Sequence, residues 1–136
     1  MTNINTIKKL ESGRASFAYN CAKKGAEQNS SEYKSYVKKL PMLIKTNGLA
    51  SALSFYFANS ASEGKVNTNK TYGLIYRQIE DWLKKDNKSL IKFEQDKLVG
   101  VLLDTDSNTY RVVTTEVMAF LTWLRRFADA FAKDKD

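Results

Sequence analysis

Residues 108–132 read NTYRVVTTEVMAFLTWLRRFADAFA. The apolar positions Tyr110, Val113, Val117, Phe120, Leu121, Leu124, Phe127, Ala128 and Phe131 fall in one stripe about 120° wide at roughly 100° per residue, the pattern of a long amphipathic helix. The DTDSN run that precedes it is polar turn chemistry, and Ser107 or Asn108 is the expected N-cap. Arg111, Arg125 and Arg126 lie off the stripe. The segment thus predicts a helix whose apolar side needs covering and whose basic side faces something else.

Working outward, the same periodicity recurs. From Asn5 to Glu27 the positions Ile7, Leu10, Phe17, Ala18 and Cys21 form an apolar face, which KKGAEQNSS then breaks. Arg14 projects from the middle of that face. Either its stem packs at the core edge with the guanidinium paired to an acid, or the face meets another subunit. Residues 31–47 place Tyr33, Tyr36, Val37, Leu40, Ile44 and Asn47 together, with Ser30 or Ser31 as cap. Pro41 inside this run predicts a kink or a division into two helices. If the helix continues, Lys34, Lys38 and Lys45 share one flank over about 16 Å, at ~1.5 Å per residue, and can follow phosphates or simply be solvated.

TNG at 46–48 reads as a helix stop at Gly48. A short helix with Leu49, Ala52, Leu53, Tyr56 and Phe57 on its face comes next, then a polar loop, ANSASEGKVNTNK, expected to be mobile or tolerant of insertion. Residues 71–85 form a further helix around Tyr72, Ile75, Tyr76, Ile79, Trp82 and Leu83, with Arg77 and Asp81 spaced as a surface ion pair. KLVGVLLD at 97–104 is assigned to a short helix rather than a strand, because a lone strand would leave its backbone groups unpaired. The expected fold class is therefore all-α, one compact domain over residues 1–136 built from five to six amphipathic helices.

Composition agrees. With 6 Gly and 1 Pro among 136 residues the chain lacks the punctuation of a many-stranded protein, and 43% apolar content suffices for a core. A formal charge of +7 points to an anionic partner such as nucleic acid. Cys21 is the single cysteine and there is no histidine. This excludes an intrachain disulfide, zinc sites built on His or several Cys, and Ser-His-Asp or Cys-His catalysis. Cys21 is expected to be a small buried residue rather than a nucleophile. Neither a signal-like apolar segment nor a membrane-length one is present, so a cytoplasmic protein is expected.

No phosphate-binding glycine loop, dinucleotide fingerprint, calcium loop or helical metal-binding pair occurs. Asp104 and Asp106 fit turn and cap roles, and Glu80 with Asp81 fits a solvated helix face. The chain is read as a binding or scaffold protein without cofactor, metal or small-molecule substrate. Trp123 sits about 100° from the centre of the final stripe, near Arg126. It edges the core, meets a partner or stacks a base, in that order of preference.

Three strings together are informative: KKLPMLIKTNGLASALSFY from Lys38, YGLIYRQIEDWL from Tyr72 and YRVVTTEVMAFLTWLRRFADA from Tyr110. In this order and spacing they resemble the small all-helical subunit of type III-B CRISPR effector complexes, the fifth Cmr subunit, over about residues 33–132. The resemblance implies a non-catalytic subunit. Its partners would be other Cmr-type subunits, copies of itself and a guide RNA–target RNA assembly, and it would serve antiviral defence. In that family copies of the subunit stack along the backbone filament and border the target, while neighbouring subunits carry the nuclease and cyclic-oligonucleotide chemistry, and the resemblance implies the same here. Contact with target would be electrostatic and blind to base sequence, since guide pairing supplies specificity. The residues expected to face RNA or another subunit are Lys38, Lys39, Lys45, Arg111, Trp123, Arg125 and Arg126. A free-standing basic protein that binds nucleic acid non-specifically, or that adapts two proteins, is the alternative.

Overall fold

The computed structural model describes residues 4–85 and 90–133, with side chains from residue 10 onward; Ile7, expected on the first apolar face, lies outside the described side chains. The order is α1 (Ile4–Asn47), α2 (Leu49–Ala58), β1 (Ala61–Ser62), β2 (Lys65–Val66), α3 (Thr71–Lys85), α4 (Leu98–Leu103) and α5 (Ser107–Phe131). The mostly helical class is as the periodicity requires. Helix α5 packs chiefly along α1, with α3 and α2 closing the rest of the core.

Helix α1 consists of two arms, because Asn29 leaves helical geometry at φ −164° and ψ 90°. The break expected in KKGAEQNSS is therefore present, but its cap is Asn29 rather than Ser30 or Ser31: the Asn29 Oδ1 accepts the Glu32 N–H at 3.2 Å. An amide side chain three residues before a backbone N–H satisfies a donor that the new arm leaves orphaned. Gly25 makes the bend close-fitting. The buried Tyr33 ring lies so near it that an added Cβ would come within 2.3 Å of ring carbons. Pro41 does not divide the second arm, whose only non-helical residue is Asn29.

Three anchors tie this bend to distant chain. Gln28 Nε2 donates to the carbonyls of Thr68 (3.0 Å) and Asn69 (3.1 Å), Ser30 Oγ accepts the Lys133 N–H at 2.9 Å, and the Thr71 hydroxyl donates to the Glu32 carboxylate. The polar loop, expected to be mobile or tolerant of insertion, contains a minimal antiparallel hairpin, Ala61 opposite Val66 and Ser62 opposite Lys65. Glu63 (φ 53°) and Gly64 (φ 78°) supply the two positive φ angles that a two-residue hairpin turn matching strand twist needs.

Between arm 1 of α1, α3 and α5, the partly buried Phe17 and the buried Trp82 and Phe120 form a ring cluster with centroids 5.4–6.0 Å apart. Val113, Val117, Phe120, Leu121, Leu124 and Ala128 of α5 are buried, and Tyr110, Phe127 and Phe131 are partly buried against the same core. Of the face expected on the second arm, Tyr33, Val37, Leu40 and Ile44 are buried, whereas Asn47 is exposed. The N-cap of α5 is Asp106, not Ser107 or Asn108; its carboxylate accepts the Thr109 N–H at 2.8 Å and the Thr109 hydroxyl at 3.0 Å. Those bonds favour the ionised carboxylate and hold its pKa below the usual value.

Candidate nucleic-acid interface

Among the described residues, the buried charges Arg14, Glu116 and Glu80 are each held by specific partners. Arg14 is 8% exposed. Its Nε and Nη2 donate to the two carboxylate oxygens of Glu116 at 2.8 and 2.9 Å, and its Nη1 donates to Glu11 at 3.0 Å. Trp82 Nε1 donates to the same Glu116 at 2.9 Å. Of the two readings that Arg14 left open, the structure therefore shows the paired one. Two charges on two apolar stripes meet where α1 crosses α5, and a planar guanidinium matches a carboxylate in bidentate fashion.

Glu80, expected on a solvated face, is fully buried. Its carboxylate accepts the N–H of Asp96 at 3.0 Å and of Leu98 at 3.2 Å, so it caps the start of α4 from α3. Burial raises its pKa against the lowering effect of those two bonds. Arg77 pairs with Asp96 at 2.5 Å and lies 3.7 Å from Glu80, in place of the Asp81 partner that helical spacing suggested. Cys21 is buried, and desolvation pushes its thiol up to about 12, with Asp81 adding to the shift. A protonated thiol at neutral pH is a poor nucleophile.

Two surface concavities among the described residues bear on function. One, about 400 Å³, lies between arm 1 and α3 and is lined by Asn20, Cys21, Lys24, Arg77, Gln78 and Asp81, among others. Its polar groups are largely spent: Gln78 accepts from Tyr33 and donates to the Cys21 carbonyl, Asn20 donates to the Ser16 carbonyl, and Arg77 holds Asp96. The charges left, Lys24 and Asp81, have opposite sign. The other, about 360 Å³, is a groove between arm 2 of α1 and the second half of α5, lined by Pro41, Lys45, Met118, Leu121, Thr122, Arg125, Arg126 and Asp129. Its one acid, Asp129, lies 3.4 Å from Lys34, which leaves Lys45, Arg125 and Arg126 as a cationic rim over an apolar floor.

The residues expected at an interface thus separate. Lys45, Arg125 and Arg126, some 80 positions apart in sequence, share the groove. Lys38 is exposed on the same flank of arm 2, between Lys34 and Lys45 in helical register. Arg111 is exposed near the start of α5 and falls in register with Met118 and Arg125, seven and fourteen residues on. Lys39 points the other way, donating to Tyr72 Oη at 2.9 Å with its Nζ over three aromatic rings. Trp123 edges the core: Nε1 donates to Glu11 at 3.0 Å, its ring stacks on Phe127 at 5.9 Å, and the Arg126 guanidinium lies 5.1 Å above it.

Among the described residues no three potential metal ligands converge, and no helix is long and apolar enough to cross a membrane. Fold and groove together define a small, mostly α-helical protein with a cationic cleft between its two longest helices. Residues 10–131 match the family described as "CRISPR-associated protein (Cas_Cmr5)", and the chain belongs to that family. It is, at that level, a Cmr-associated CRISPR subunit. Its architecture is similar to the crystal structure of a CRISPR-associated Cmr5 family protein from Thermus thermophilus, with a TM-score of 0.66 and 24% identity over 89% of this chain and 98% of that one. That likeness concerns the fold.

Proposed function

We propose that the chain is the non-catalytic small subunit of a type III-B RNA-guided effector, that copies of it stack along the backbone filament in the cytoplasm, and that its α1–α5 groove borders the target RNA in antiviral defence. One observation carries the assignment of the groove: Lys45 from α1 and Arg125 and Arg126 from α5 line it together, and its one lining acid, Asp129, is paired with Lys34. Cations clustered this way favour phosphate contact, which releases condensed counterions and is indifferent to base identity. Lys38 and Arg111 extend the basic surface along the two helices. Trp123 supports Arg126 by stacking beneath it, so its contribution is to position a cation rather than to contact a base.

Tagged protein recovered from its own host tests the reading. It brings down guide RNA together with other Cmr-type subunits. Recovery as a free protein, with neither, contradicts the assignment and favours a self-standing basic nucleic-acid binder.

A further inference from the structure

Phe55 stands 45% exposed at the margin of a cluster of rings. Tyr36 and Tyr72 stack at 4.2 Å with 15° between planes, and Phe55 meets Tyr72 edge-on at 5.5 Å and 85° and Tyr56 at 6.1 Å and 61°. The ring is therefore fixed by neighbours while much of its surface remains open. Lys39 Nζ lies 4.7, 5.1 and 5.6 Å from the centroids of Tyr36, Tyr72 and Phe55. Among the described residues no carboxylate comes within ion-pair distance of it.

Ring faces attract an ammonium but do not cancel its charge, so this half-buried cation still favours an incoming anion. A rigid exposed ring beside an unneutralised cation is the pairing that single-stranded nucleic acid uses, base on ring and phosphate on cation. The location fits a continuous path. Met42, 71% exposed, lies on the outer face of arm 2, between Lys39 with Phe55 on one side and the flank that carries Lys38 and Lys45 and borders Arg125 and Arg126 on the other. A helix with its side chains is about 10–12 Å across, so a strand crossing the arm meets cations on both flanks.

Resting on the RNA-binding reading of the groove, we propose that Phe55, with Lys39 beside it, is a stacking platform for an unpaired base of single-stranded RNA. The ligand class is thereby narrowed from any polyanion to a strand with at least one base free of its complement. Phosphates along the groove hold the strand, and the ring takes the base.

The test is an NMR titration of the full-length protein at low salt with a uridine decamer and, separately, with a decamer of the same ribose-phosphate backbone lacking bases. The base-bearing strand binds on the order of tenfold tighter and shifts the Phe55 ring signals. Phe55→Leu removes that preference and leaves the salt dependence unchanged, whereas Phe55→Trp retains it. Equal affinity for the two decamers, with no effect of Phe55→Leu, overturns the platform while the phosphate-binding groove stands. Binding of neither decamer removes both. If Phe55→Leu spares RNA binding but abolishes co-purification with other Cmr-type subunits, the patch is a protein-docking surface and the proposal fails.

Discussion

Glu116 shows how one side chain can govern a helix crossing. It sits on the buried stripe of α5, 6% exposed, and receives the Arg14 guanidinium through two bonds and the Trp82 indole through a third. Removing one partner of such a pair strands the other charge in a poorly solvated site, a loss larger than the pair's net contribution to stability. Glu116→Ala should lower unfolding stability by about 3–5 kcal/mol in urea titrations. The double variant Arg14→Met with Glu116→Leu should recover much of that loss, because no charge then remains buried. A cost below about 1 kcal/mol for Glu116→Ala would contradict the assignment. The Arg14 anomaly was visible in the sequence, but its partner was not: the two residues lie 102 positions apart. The available signal was a second charge on an otherwise apolar stripe, and Glu116, flanked by Val113 and Val117, supplied it.

At the scale of the element, the ends of helices were the part sequence reasoning placed least well. Asn29 and Asp106 cap arm 2 of α1 and α5, one or two residues from where Ser30 or Ser31, and Ser107 or Asn108, were expected. All are competent cap residues, so local chemistry could not rank them. Elsewhere the cap comes from another element altogether. Tyr110 Oη of α5 accepts the Ala50 N–H at 2.8 Å at the start of α2, where Gly48 (φ 90°) has no side chain to offer, and Glu80 serves α4 from α3. The bend in α1 has a similar long-range logic. Gly25 accepts the ring of Tyr33, whose hydroxyl donates to Gln78 at 2.6 Å on α3. Gly25→Ala should therefore destabilise the protein by about 1–3 kcal/mol through overpacking, although alanine is the better helix former. A thermal melt in which Gly25→Ala raises the midpoint would show that the ring is not held as described.

For the molecule as a whole, periodicity sufficed for the helical class and most of the core, since burial of one face imposes a repeat that survives any tertiary arrangement. The hairpin at residues 61–66 escaped notice because two-residue strands carry no alternation to read; the Glu63–Gly64 pair was the only clue. The cations that line the groove were legible one by one, but not as residues that share one groove. Lys45, Arg125 and Arg126 were expected to face RNA or another subunit, yet only the packing of α1 on α5 brings them to one groove and turns Lys39 into a separate aromatic cluster.

Target RNA affinity of the reconstituted effector, measured across salt concentrations with wild-type subunit and with Lys45→Gln, Arg125→Gln and Arg126→Gln combined, tests the central claim most directly. Each lost phosphate contact reduces the slope of log affinity against log salt by about 0.7–0.9. The triple variant should thus assemble normally and lose about two to three units of slope for each copy engaged, with weaker target binding at every salt concentration. Normal assembly with an unchanged slope would contradict the claim that this groove faces RNA.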